Sequence, residues 1–254
     1  MQTSRAKGVD SARRVLQILL SFSESSPEVT VESISTQFGI SVPSAYRYIS
    51  LLRELYLIEE TGRGAYSLTP QMFRLASVAE SSIDIGNLGM PVVNRLVGET
   101  HETVLILRRI GDSAVCVASS QPDKQATISF LQGHLMPLHR GAGSKVLLAA
   151  TQIEEQRKYL AHLEERLGPD WGEELKSELS AIRKQHFAIS SAEVDEGIYA
   201  VAAPIVVEGR TVAALSIAGL EFRLSEERRG ELLQKVREGA REISDMMSIP
   251  QVVA

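Results

Sequence analysis

Apolar residues in the front of the chain recur at helical spacing. Val15, Ile18, Leu19 and Phe22 form one stripe, which predicts a helix capped by Asp10 or Ser11. Thr30 precedes VESISTQF, where its hydroxyl can accept a bond from an unpaired first-turn amide. Gly39 ends that segment at a position that calls for a left-handed backbone. Ser41 caps the next predicted helix, and Pro43 fits its first turn, where no N–H partner is required. This helix is predicted to run to about Tyr56, with Ala45, Ile49, Leu52 and Tyr56 on one face and Tyr48 and Leu55 beside it. The opposite face carries Pro43, Arg47, Ser50 and Glu54, flanked by Ser44 and Tyr46. ETGRGAYSL then reads as a turn between two strands, with Leu57, Ile58, Tyr66 and Leu68 as strand formers and Arg63 between Gly62 and Gly64.

A helix held against another by a tight turn can be laid into a major groove. From Ser33 to Arg53 there is no acidic residue, which suits a surface that approaches phosphates. A basic tip on a glycine-containing hairpin can reach a phosphate or a minor groove. Helix–turn–helix patterns also arise by chance in helical bundles; the wing makes this one more specific. The candidate contacts to double-stranded operator DNA are Ser41, Pro43, Ser44, Tyr46, Arg47, Ser50, Arg53 and Arg63.

Further on, Thr69-Pro70 starts a linker helix with Met72, Leu75, Ala76 and Ala79 on its apolar side. DIGNLGMPVVNRLVGET predicts a helix with Ile85, Leu88, Val92 and Leu96 facing inward, kinked or split at Pro91. The period then changes. ETVLILRRI and SAVCVASS are strands about the turn Gly111-Asp112, and TISFLQGHLMPL contains a third. GAGSKVLLAA begins a helix at a glycine-rich corner, followed by two acidic helices. HFAISSAEV, GIYAVAAPIVVEG and RTVAALSIAGL are strands, the last two joined by a turn at Glu208-Gly209. A terminal helix from Leu224 to Met247 turns Leu232, Leu233, Val236, Ala240 and Ile243 to one side. The portion after about residue 83 is therefore helices packed on a largely antiparallel sheet.

The chain has 254 residues, 44% hydrophobic and 23% charged, as a soluble globular protein should be. No apolar run reaches membrane-spanning length, and MQTSRAKGVD has no apolar signal core, so a cytoplasmic location is expected. A single cysteine, Cys116, excludes an intrachain disulfide and a multi-cysteine zinc site. The net charge of −5 falls entirely beyond residue 80, since residues 1–80 are balanced. So few basic contacts per chain imply a dimer on DNA.

Four segments together resemble the IclR family of bacterial transcription regulators: GVDSARRVLQILLSF, the winged stretch, PLHRGAGSKVLLAA and AVAAPIVVEGRTVAALSIAG. The resemblance covers essentially the whole chain. It implies an α+β protein: an N-terminal winged helix–turn–helix over 1–69, a linker helix over 70–82, and a GAF-like α/β effector-binding and oligomerisation domain with an antiparallel sheet over 83–254. It also implies homodimers, often dimers of dimers, on palindromic operators.

The best mouth for a ligand is Leu138 to Lys145, because free amides and the helix dipole favour an anion where Gly141, Ala142, Gly143 and Ser144 begin a helix. The resemblance places a small carboxylate there and carries over Ala142, Gly143, Ser190, Ala200, Ser216 and Ala218 as contacts. Ser144 replaces the usual glycine, Arg140 a small residue and Ser190 an acid, while Ala200 and Ala218 offer no polar side chain. A less polar floor with Arg140 nearby suits an organic acid with an apolar body, such as an aromatic acid. Plainer readings stand beside this one. Ser216 satisfies a buried backbone group, Met136 and Leu138 are core rather than wall, Arg140 points to solvent, and the acidic loop Glu193, Asp195, Glu196 is solvated. GAGSK lacks the pattern of a phosphate loop, and His134 and His139 lack a third ligand, so neither nucleotide nor metal is expected, and no cofactor. No catalytic constellation stands out, which ranks an enzyme or a constitutive architectural DNA binder behind an effector-controlled repressor of a catabolic operon.

Overall fold

The computed structural model describes residues 8–23, 25–82, 84–122, 132–168 and 170–248. The chain divides into two units, residues 1–82 and 83–254.

In the first unit, α1 (Asp10–Leu19), α2 (Val31–Phe38) and α3 (Val42–Glu54) pack around Val15, Ile18, Ile34, Ala45, Ile49 and Leu52. Thr30 caps α2 as its position suggests: its Oγ1 accepts from the Ser33 amide at 3.1 Å, and Ser33 Oγ accepts from the Thr30 amide at 2.9 Å. Gly39 ends α2 in the left-handed region, φ 59°. The cap of α1 differs from expectation. Helix α1 already includes Asp10, Val9 stands at its cap, and no side chain closes that end. Helix α3 also stops short of Tyr56, which takes φ 56° and is 77% exposed, so the turn carries this ring off the buried face. Leu55 is likewise exposed.

The wing has three strands rather than two. β1 (Glu28–Thr30) and β2 (Ile58–Gly62) flank β3 (Ala65–Leu68), all antiparallel. β1 is short because Thr30, still extended at φ −114° and ψ 164°, is already the cap of α2, and the backbone turns helical at Val31. The helix α4 (Gln71–Ser82) follows, with the Thr69 hydroxyl accepting from the Gln71 amide at 3.3 Å.

In the second unit, α5 (Asp84–Thr100) is one continuous helix, not two. Pro91 and Asn87, whose carbonyl its missing N–H would have used, are both exposed, so water takes up the loss. A six-stranded antiparallel sheet runs in the order β6-β5-β4-β9-β8-β7. Its strands are β4 (Thr103–Ile110), β5 (Ser113–Ser120), β6 (Leu135–Pro137), β7 (Ala188–Ser191), β8 (Ile198–Val207) and β9 (Arg210–Leu220). Of the strand expected within TISFLQGHLMPL, residues 127–131 lie outside the described residues and Leu135–Pro137 form β6. Helices α6 (Ala142–Ala149), α7 (Ile153–Leu167) and α8 (Asp170–Gln185) join a buried cluster with one face of the sheet; α5 and α9 (Glu226–Ser248) join the other.

Both faces are therefore covered, which explains the nearly unbroken apolar runs in β8 and β9. The two-residue period sorts them. Leu215 and Ile217 face α5 and α9, whereas Ala214, Ser216 and Ala218 face α6. On that side Ala200 and Ala202 are small too. Small residues under α6 let it approach the sheet and leave a gap where their side chains stop short. Among the described residues no helix is long and apolar enough to cross a membrane.

Candidate DNA-reading surface and ligand cavity

On α3 the buried residues Ala45, Ile49 and Leu52 hold one side to the core and leave Pro43, Tyr46, Arg47 and Ser50 exposed on the other. Ser41 stands at the cap of α3 but makes no side-chain bond to its backbone; its hydroxyl instead meets Ser44 Oγ at 2.9 Å. Ser44 also accepts from Arg47 Nη2 at 3.2 Å. The three residues form a short chain that orients a guanidinium outward, where a planar five-donor fork can read a base edge or a phosphate. Arg53, half exposed, also has partners within the head. Its guanidinium lies 5.8 Å from the Tyr66 ring centre and 3.7 Å from Glu60 Oε2, so it braces α3 against the wing. Arg63 stands at the wing tip, exposed and left-handed at φ 54°.

In the second unit, a cavity of about 30 Å³ lies between the start of α6 and the sheet. Its wall contains Met136, Ala142, Gly143, Ser144, Ser190, Ala200, Ser216 and Ala218, so one space gathers eight of the ten positions read from the sequence. Leu105, Leu107, Gly141, Val194 and Ile198 complete it. Leu138 is not part of the wall; it is 1% exposed and belongs to the core cluster. Arg140 is exposed and lines a neighbouring cleft instead. A Cβ on Gly143 would stand 2.5 Å from Leu107 Cδ1 and 3.5 Å from Ser216 Cβ, so glycine is what lets α6 sit this close.

The polar groups of the cavity divide by whether they are satisfied. The Ala142 amide donates to Ser190 Oγ at 3.0 Å, and Ser216 Oγ donates to the Val201 carbonyl at 3.2 Å. Ser216 therefore does satisfy a buried backbone group in this state. Ser144 differs: it is 1% exposed, and its Oγ has no hydrogen-bond partner. An orphaned buried hydroxyl costs about 1–3 kcal/mol, so it calls for an explanation. The acidic loop is not simply solvated. Glu193 Oε2 accepts from the Gly141 amide at 2.9 Å, and Oε1 meets the Lys145 Nζ at 2.5 Å. Lys145 is 2% exposed and is also bonded to Glu178 Oε1 at 2.5 Å. Nearby, the Tyr159 hydroxyl accepts from the His139 amide at 3.1 Å and lies 2.8 Å from His139 Nδ1. Burial, with Arg140 and Arg166 adding to it, holds the His139 imidazole below its ordinary pKa.

Residues 11–62 match the IclR helix-turn-helix domain, and residues 78–245 match the bacterial transcriptional regulator IclR C-terminal domain. The chain belongs to the IclR family. It is a DNA-binding transcriptional regulator and not an enzyme. The HTH-type transcriptional regulator KipR of Bacillus subtilis is 29% identical over 224 residues, covering 86% of this chain and 89% of KipR. An IclR family transcriptional regulator from Brucella abortus shares the fold at TM-score 0.83 and 22% identity, over 96% of this chain and 94% of that one. An IclR homolog from Microbacterium hydrocarbonoxydans, complexed with 4-hydroxybenzoate, has TM-score 0.77 at 18% identity, over 93% and 98% of the two chains.

Sequence reasoning about this IclR-family regulator named neither Glu178 nor Val194, and took Lys145 only as the end of the ligand mouth and Glu193 only as part of a solvated loop. One signal was present. In GAGSKVLLAA, Lys145 is the only charge on a helix that is otherwise small or apolar, and a lone buried charge must be paired.

Proposed function

We propose that this regulator acts in the cytoplasm as a dimer or dimer of dimers on palindromic operator DNA, represses a catabolic operon, and responds to a small organic acid held beneath α6. In this reading residues 1–69 form the reading head, 70–82 the linker helix, and 83–254 the effector-binding and oligomerisation domain. Arg47, oriented by Ser44, reads a base edge, and Arg63 meets a phosphate or the minor groove.

The observation that carries the ligand half is the Ser144 hydroxyl, buried in the cavity wall without a partner at the third residue of a helix start. The first amides of α6 have no intrahelical acceptors, and the helix dipole favours an anion at that end. Ser144, with Ser190 and Ser216 able to exchange their present partners, suits a carboxylate. The walls Leu105, Leu107, Met136, Val194 and Ile198 suit an apolar body. The Microbacterium relative holds an aromatic acid on the same fold. At about 30 Å³ the cavity admits only one or two waters, so an aromatic acid requires the wall to move outward.

That small volume also supports a second reading, a constitutive architectural binder whose back portion only dimerises. Operator binding decides between them. A ligand shifts a two-state equilibrium only by its differential affinity for the two states, and a tenfold change in operator affinity corresponds to about 1.4 kcal/mol. Fluorescence anisotropy on an operator fragment at fixed salt, with benzoate, 4-hydroxybenzoate and aliphatic acids, is expected to show at least that change for one of them. Bound acids that leave the affinity untouched would remove the sensing half and leave the architectural reading.

A further inference from the structure

A second cleft, of about 320 Å³, adjoins the cavity of buried residues, with His139, Arg140, Lys145, Trp171 and Glu193 in its wall. The Glu193 carboxylate stands between the two spaces. One oxygen takes the Gly141 amide in the cavity wall at 2.9 Å, and the other takes Lys145 Nζ in the cleft wall at 2.5 Å. The next residue, Val194, is itself cavity wall, and its Cγ2 lies 2.8 Å from where a Cβ on Gly141 would stand. The Ala192 amide donates to the Ile198 carbonyl at 2.8 Å, which ties the base of this loop to the edge of the sheet. Behind it the Ser144 hydroxyl, 1% exposed, has no partner.

We propose that Glu193 is the gate residue of the cavity: its carboxylate pins the 192–197 loop over the space, and an entering ligand carboxylate takes its place at the start of α6. This deepens the organic-acid reading of the cavity and rests on it. Lys145 makes the exchange selective. When Glu193 swings out, this buried ammonium keeps only Glu178, and the Gly141 amide loses its acceptor. A monoanionic carboxylate restores both, leaving the local charge unchanged, whereas a neutral analogue leaves the buried ammonium with one of its two carboxylate partners. Arg140, on the cleft side, meets the anion before the gate does.

The test reads entry directly and needs no effector. In the full-length protein, Ser144→Cys places a thiol in the cavity wall, and the buried native Cys116 reports general unfolding on the same molecules. Labelling by a neutral and an anionic methanethiosulfonate is followed by peptide mass spectrometry. Glu193→Gln is expected to raise the labelling rate at position 144 at least tenfold, more for the anionic reagent than for the neutral one, with Cys116 unchanged. Glu178→Gln removes the other carboxylate from the same lysine without touching the loop, and is expected to leave the rate within twofold. An unchanged rate in Glu193→Gln, or equal acceleration by both substitutions, would overturn the gate. Because no operator or effector enters the measurement, that failure would leave the organic-acid reading standing, and a failure of the anisotropy experiment would leave the gate measurable.

Discussion

The two units of this regulator place their candidate recognition residues in opposite surroundings. In the first, Pro43, Tyr46, Arg47, Ser50 and Arg63 are exposed, and the residues behind them do the folding. In the second, Ala142, Ser144, Ser190 and Ser216 are 6% exposed or less, and the residues that form the cavity are also core. An exposed guanidinium is solvated while it waits for DNA, so its presence costs the fold little. A buried hydroxyl has no such reserve, because each polar group left unpaired inside is a direct loss of stability. Substitutions should therefore separate binding from stability in the first unit and couple them in the second.

The largest effect tests whether the first unit can be damaged alone. Among the described residues its core numbers ten buried side chains, and Ile49 sits in it at 1% exposure. Ile49→Ala is expected to cost about 3 kcal/mol by lost burial and the hole left behind. A core this small has little margin, so calorimetry should show the head melting separately while the sheet domain keeps its midpoint. A single transition that moves as a whole would mean that the two units are energetically one, and the contrast drawn between them would fail.

Arg47→Ala comes next. It is expected to weaken operator binding by about 2 kcal/mol, roughly thirtyfold, if the guanidinium reads a base edge. The melting midpoint should not move, since Arg47 is exposed and its bond to Ser44 is a surface one. Equal loss on operator and on unrelated DNA, with a salt slope lower by about one, would assign the side chain to a phosphate instead.

What could be read from the sequence follows a similar divide. Short-range periodicity located α1 and α3, because Val15 and Ile18 in the one, and Ala45, Ile49 and Leu52 in the other, recur at the spacing of a helix face. Thr30 and Gly39 were legible because caps are local chemistry. β1 was not, because its three residues are a strand only through β3, whose pairing partners lie more than thirty positions away. Tyr56 fits the helical period but follows the helix end, so its left-handed turn broke the pattern. The positions that the resemblance carried over, distant in sequence, line one cavity. The Lys145–Glu193 pair stayed hidden because it spans 48 positions and has no periodic signature.

Ser144→Ala sharpens the coupled half of the comparison. Removing a buried hydroxyl with no partner should raise the stability of the ligand-free protein by about 1 kcal/mol, because alanine keeps the packing and deletes the unsatisfied group. The same change should blunt the response of operator affinity to a bound acid. Thermal denaturation without ligand checks the first expectation. A lower midpoint would show that the hydroxyl is satisfied in solution, and the argument for a ligand at this place would lose its main support.

The smallest effect asks whether the first unit also gives up stability at its own candidate contact. Arg63 sits at φ 54°, a region that costs an ordinary L residue about 1–2 kcal/mol and glycine almost nothing. Arg63→Gly relieves that strain, but glycine also adds freedom to the unfolded chain, worth about 0.5–1 kcal/mol in the other direction. The net should be a gain of a few tenths of a kcal/mol, visible as a small rise in the head's midpoint. DNA affinity should fall with a salt slope lower by about one, as for one lost phosphate contact. If affinity falls while stability rises, the exposed unit has its own local trade, smaller than the one at Ser144 because solvent surrounds it. If both fall together, the arginine side chain stabilises the wing itself, and the separation of binding from folding claimed for the first unit does not reach its tip.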